Sequence, residues 1–128
     1  MIETDASDGV IAGVFSQKHP DNLWYPVAYF SKTMNPAECN YQIHDKELLA
    51  IVRAFSQWRA ELQGTPQRIQ VLTDHKALEF FMTKRELTGR QARWAETLSS
   101  FFFQIIYRSG VSNTKADSLT RRENDLQA

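Results

Sequence analysis

Along the first third of the chain, apolar and polar positions alternate in short runs bounded by turn formers. Ile2–Ala6 is extended in character. Gly9–Gln17 sets Val10, Ala12 and Val14 against Ile11, Gly13 and Phe15, the pattern of a strand covered on both faces. His19–Asn22, with Pro20, reads as a turn, and Tyr25–Lys32, with Val27, Tyr29 and Phe30, reads as the next strand. Three strands with short links predict an antiparallel meander.

The period then changes from two to between three and four. Asn35-Pro36-Ala37-Glu38 supplies an N-cap, a proline at the first helical position and a glutamate at the third. One helix from there to Leu62 would be about 40 Å long, too long for a small domain. The spacing instead predicts a short turn at 36–40, a break near Asn40–Gln42, and a main helix over 43–62. Leu48, Ile51, Phe55, Trp58 and Leu62 fall on one face of it, and Gly64 and Pro66 stop it. Arg68–Asp74 alternates like a strand and carries Asp74 at its end. Ala77–Met82 and Gln91–Ser100 read as helical, and Phe101–Arg108 as a strand. Gly110–Asn113 is a turn, Thr114–Arg121 a short helix, and Arg122–Ala128 a frayed tail. The expected organisation is one domain over 1–121 with a disordered tail at 122–128.

The 128 residues suit one domain with a core of its own; 42% are hydrophobic and 23% charged, as in a globular protein. No apolar run approaches the roughly 20 residues that cross a bilayer. Met1–Asp5 lacks the basic and apolar regions of a signal peptide, and a strand pattern that begins at Ile2 is expected of a segment of a longer chain. Cys39 is the single cysteine, which excludes an internal disulfide and a cysteine-rich zinc site. Net charge is zero, but its distribution is uneven. Residues 1–50 hold seven acids against three lysines, and the remainder twelve Lys and Arg against eight acids. An acidic metal-binding half beside a basic half would suit a nuclease; an ordinary solvated surface gives the same counts.

Four acids stand in distinctive settings: Asp5 in Thr-Asp-Ala-Ser, Glu47 in Asp-Lys-Glu-Leu-Leu-Ala, Asp74 in Thr-Asp-His-Lys-Ala-Leu, and Asp117 in Lys-Ala-Asp-Ser-Leu. Any one of them alone reads as a turn or cap residue. Brought together they would repel one another and raise one another's pKa, so they make poor structural glue. They would, however, cage two hard divalent cations, which can clamp the attacking and leaving oxygens of a phosphodiester.

These settings, with Val-Ala-Tyr-Phe-Ser-Lys at 27–32, Arg-Trp at 93–94, Ile-Ile-Tyr-Arg-Ser-Gly at 105–110 and Ala-Asp-Ser-Leu-Thr-Arg at 116–121, resemble a ribonuclease H domain. The likeness runs nearly end to end and is greatest to the reverse transcriptases of gypsy-class long-terminal-repeat retrotransposons. It implies an α/β ribonuclease H-like fold: a five-stranded mixed sheet, an antiparallel three-strand meander plus parallel strands, flanked by helices. It implies that Asp5, Glu47, Asp74 and Asp117 bind two Mg²⁺ ions, for which Mn²⁺ can substitute. It also implies endonucleolytic hydrolysis of the RNA strand of RNA–DNA hybrids during reverse transcription, leaving a 3′-hydroxyl and a 5′-phosphate. The expected partners are the hybrid and the polymerase module of the same polyprotein, with no membrane. The isolated domain is expected to be a monomer, and the setting the cytoplasm, in virus-like particles.

Many ribonucleases H carry a histidine between the last strand and last helix, where this chain reads Ser109-Gly110-Val111-Ser112-Asn113. Tyr107, ten residues before Asp117, is the candidate substitute; a core aromatic with a polar tip is the other reading. Ser7 is a candidate contact to a ribose 2′-hydroxyl, and Gln42 and His44 to backbone phosphate or 2′-hydroxyl. Lys84, Arg85, Arg90 and Arg93 would track the DNA strand or form a solvated face. His75 stands beside the metals or on the surface, and Trp58 and Trp94 are packing residues. Two other functions fit less well. A degenerate, non-catalytic copy of the fold would have lost ligands. Transposases and integrases on this fold place Asp, Asp, then Glu along the chain, whereas Glu47 precedes Asp74 here.

Overall fold

The computed structural model describes residues 1–84 and 86–108. Its sheet has five strands, β1 (Ile2–Ser7), β2 (Val10–Lys18), β3 (Trp24–Thr33), β4 (Ile69–Thr73) and β5 (Phe103–Tyr107), in the order β3-β2-β1-β4-β5. The first three pair antiparallel, whereas β1 with β4 and β4 with β5 are parallel. That is the expected mixed sheet. The expected C-terminal helix over 114–121 and the tail at 122–128 lie outside the described residues.

The meander is set by local chemistry. Asp8 and Gly9 both take positive φ, 49° and 80°, and close a two-residue hairpin with Ser7 opposite Val10. Asp-Gly is the pair that such a turn favours, because its twist matches that of the strands. In β2, Gly13 leaves room for the Phe30 ring: a Cβ there would stand 2.4 Å from Phe30 Cε1. Phe30 in turn meets Trp58 edge-on at 5.4 Å, beside Phe15 at 5.5 Å from the same indole. Gly13→Ala is therefore expected to displace a packed ring and lower stability by about 1–3 kcal/mol, read as a shifted urea midpoint at unchanged slope.

Helix α1 (Pro36–Cys39) has the expected cap: Asn35 Oδ1 accepts from the Glu38 amide at 2.8 Å and Glu38 Oε1 accepts from the Asn35 amide at 3.0 Å. The expected break follows, and α2 begins at Ile43. The predicted single helix to 62 is interrupted, however. Helix α2 ends at Gln57, Trp58 leaves helical geometry (φ −115°, ψ 30°) and α3 covers Arg59–Leu62. The indole is buried between Phe15 and Phe30, so its packing accompanies the local break. Leu48, Ile51, Phe55, Trp58 and Leu62 are all buried, as their spacing predicts. Burying each such side chain contributes about 1.5–3 kcal/mol, and this face fastens α2 across the sheet.

Two further boundaries differ from expectation. Lys76–Thr83 is a 3₁₀ segment kinked at Phe80 and not an α-helix. The last described helix, α4, spans Gly89–Leu98 because Thr88 caps it two residues earlier than its apolar pattern suggests. Among the described residues, no helix is long and apolar enough to cross a membrane.

Candidate metal centre

Strands β1 and β4 run parallel with Glu3 opposite Leu72, so two residues further along each come Asp5 and Asp74. Both therefore emerge at the same end of the sheet, the carboxyl end where open α/β sheets gather their functional groups. Helix α2 crosses that end and contributes Glu47 from its buried face. Carboxylate oxygens of Asp5, Glu47 and Asp74 lie within 4.8 Å of one another. Asp117, the fourth expected ligand, lies outside the described residues.

The cluster is electrostatically uneven. Glu47 is 5% exposed, and burial, with Asp5 and then Asp74 adding repulsion, pushes its pKa up to about 9. A hydrogen bond from the Ala6 backbone opposes the shift without cancelling it. Among the described residues, Glu47 Oε2 is buried without a hydrogen-bond partner. A buried acceptor left in this way costs about 1–3 kcal/mol. A divalent cation would remove both penalties, and an all-oxygen donor set of this charge suits Mg²⁺ or Mn²⁺. The residues present fit such an ion.

The other candidates lie on β1, β5, α2, α4 and the segments that join these elements. Ser7 ends β1, with its hydroxyl 3.5 Å from Asp8 Oδ2. Gln42 is the exposed N-cap residue of α2 and makes no side-chain capping bond. His44 and His75 stack their rings at 6.3 Å and 12°, and His75 directly follows Asp74 in the chain. The His75 amide donates to Thr73 Oγ1 at 3.2 Å, which shapes the corner that presents Asp74. Tyr107 ends β5 opposite Thr73, one residue before Asp74, and its amide donates to Glu79 Oε2 at 3.2 Å. Lys84 and Arg93 are exposed, and Arg85 lies outside the described residues. Arg90, expected as a phosphate contact or part of a solvated face, also makes an ion pair: its Nη1 donates to Asp45 Oδ2 at 3.2 Å.

Asp45 itself was missed. It is buried, and it also accepts from Gln91 Nε2 at 2.9 Å. Part of the signal was present, since Thr88-Gly89-Arg90-Gln91 fits the capping-box pattern and both of its bonds form, at 3.1 and 3.2 Å. Nothing in the spacing pointed to the link from Gln91 to α2.

Comparison with known proteins decides the family. Residues 1–101 match the RNase H-like domain found in reverse transcriptase. The chain belongs to that family. This RNase H-like domain is 43% identical over 123 residues to the Transposon Tf2-3 polyprotein of Schizosaccharomyces pombe, covering 94% of the chain but only 9% of the polyprotein. It thus spans about a tenth of that relative. Among solved structures it is similar to LC11-RNase H1 in complex with an RNA/DNA hybrid, at TM-score 0.73 and 14% identity over 94% of this chain and 93% of that one. RNase H1 from the halophilic archaeon Halobacterium salinarum NRC-1 gives 0.69 and 21%, over 97% and 96%. At those identities the two structures speak for the fold, and they bear out the architecture expected from the sequence.

Proposed function

We propose that the domain is a metal-dependent endonuclease that hydrolyses the RNA strand of RNA–DNA hybrids during reverse transcription of a retrotransposon. The convergence of Asp5, Glu47 and Asp74 on one point, with Glu47 Oε2 buried and unsatisfied among the described residues, carries this reading. Two Mg²⁺ ions bound there would activate water and neutralise the 3′-leaving oxygen. The protein's own part is to hold and orient. Asp5, Glu47, Asp74 and Asp117 fix the ions, and the burial of Glu47 keeps bulk water from one side of the site. Ser7, Gln42 and His44 would meet the ribose 2′-hydroxyl or phosphates of the RNA strand, the hydroxyl being what separates RNA from DNA. Arg90 and Arg93 would meet phosphates of the DNA strand. The match to the RNase H-like domain found in reverse transcriptase supports a place beside a polymerase module; the setting we propose is the cytoplasm, in virus-like particles.

The test is a panel of duplexes in Mg²⁺. Cleavage of the RNA strand in the hybrid, with RNA–RNA and DNA–DNA duplexes left intact, is the expected result. Cleavage of DNA–DNA at a comparable rate would favour a transposase-like activity instead. Tyr107 is assigned a role beside the reacting phosphate. Its position opposite Thr73 supports this, so Tyr107→Phe should lower turnover about tenfold or more at unchanged melting temperature. Near-normal turnover would leave Tyr107 a packing role alone.

A further inference from the structure

We infer that Asp45 is a positioning residue for hybrid binding, holding Arg90 in the orientation that meets the substrate; this rests on the hydrolase reading above. Asp45 is 6% exposed and lies two residues before Glu47 on α2. Its Oδ1 accepts from Gln91 Nε2 at 2.9 Å and its Oδ2 from Arg90 Nη1 at 3.2 Å, so one carboxylate grips two successive residues of α4. The Arg90 guanidinium carbon stands 3.7 Å from the Tyr41 ring centroid, which pins its flat face. His44 Nε2 lies 3.6 Å from Asp45 Oδ1, and the His44 ring continues the contact to His75. Tyr41, Gln42, His44, Asp45, Arg90 and Gln91 help line a hollow of about 440 Å³ between the starts of α2 and α4.

A buried carboxylate is a costly way to join two helices, since apolar residues of similar volume often serve as well or better. What it adds here is orientation. A free arginine carries about 2 kcal/mol of rotamer entropy, which binding would have to remove. Asp45 and Tyr41 remove it beforehand while leaving the Arg90 side chain 39% exposed. A guanidinium has five N–H donors, and Asp45 takes the hydrogen of one through Nη1, so donors remain for a phosphate.

The sign of one mutation separates this role from others. By charge alone, Asp45→Asn removes an anion near a polyanionic ligand and should tighten binding. Acting through Arg90, it should weaken binding. We would measure Kd for a labelled RNA–DNA hybrid in Ca²⁺, at a temperature well below melting. Asp45→Asn is expected to raise Kd about tenfold, the effect of a lost charge-assisted hydrogen bond. Arg90→Ala is expected to do the same, and the double variant to be no worse than either. In Mg²⁺, kcat at saturating hybrid should stay within about twofold while KM rises. Tighter or unchanged binding by Asp45→Asn, or additive losses in the double variant, would overturn the inference. If Asp45→Asn does not fold, Asp45→Glu takes its place in the same cycle, with the same non-additivity expected. A wild-type domain that binds no hybrid overturns the hydrolase reading as well, whereas one that binds and cleaves while Asp45→Asn is unimpaired overturns this inference alone.

Discussion

Glu47→Gln should abolish hybrid cleavage and, in the absence of metal, make the domain more stable and its stability less dependent on pH. The carboxyl is held at a pKa of about 9 in the fold, first by burial and then by Asp5 and Asp74, against an ordinary value of 4.5. A carboxyl raised in this way stays protonated in the folded state where the unfolded chain has already released its proton. Its contribution is therefore favourable at low pH. It is lost as pH rises from about 4.5 to about 9, at up to about 1.4 kcal/mol per pH unit. Glutamine keeps the volume and carries no proton to lose. Metal-free melting temperatures measured from pH 5 to pH 9 should fall for the wild type and fall less for the variant. Equal slopes would mean that Glu47 ionises freely and is not crowded by its neighbours. In the wild type, Mg²⁺ binding should release a proton, and its apparent affinity should rise with pH over the same window.

Asp74→Asn should cost at least about a thousandfold in turnover, on the scale of about 1.4 kcal/mol per tenfold, while leaving the metal-free fold at least as stable as before. The corner after β4 is tied by Thr73 Oγ1, which accepts from the His75 amide, so the Asp74 carboxylate is not needed to shape the turn. Neutralising Asp74 also relieves repulsion on Glu47. The upward shift in melting temperature that saturating Mg²⁺ gives the wild type should largely disappear, because a ligand stabilises only in proportion to its preference for the native state. A strongly lowered metal-free melting point would make Asp74 a structural cap and remove it from the cage.

Much of this was legible in the chain because local rules and tertiary needs agree. Asp8-Gly9 closes the hairpin that its twist favours, Asn35-Pro36-Ala37-Glu38 builds the cap that it spells, and the apolar face of α2 is buried as spaced. Placing Asp5, Glu47 and Asp74 at one point was legible only through the ordered set of family motifs, since any single Asp after a strand reads equally well as a turn residue. What stayed hidden depends on contacts remote in sequence. The indole of Trp58 is set by Phe15 and Phe30 from two strands, and the helix break at that residue has no signal in its own window. Asp45 stands in the first turn of α2, and nothing in its own window marks it as buried. Its burial follows from Gln91 and Arg90, 46 and 45 residues away, whose side chains come from another helix. The ion pair that Arg90 makes with Asp45 had no signal in the chain for the same reason.

In the function proposed above, the carboxylate cage of Asp5, Glu47, Asp74 and Asp117 drives cleavage through divalent ions. The most direct test is the initial rate of RNA-strand cleavage in a hybrid as free Mg²⁺ is raised from zero in a chelator buffer. No cleavage without free metal, a rise with Mg²⁺ or Mn²⁺, products ending in a 3′-hydroxyl and a 5′-phosphate, and no turnover with Ca²⁺, whose larger and looser shell misplaces the attacking water, are expected. Undiminished cleavage in excess chelator would contradict it.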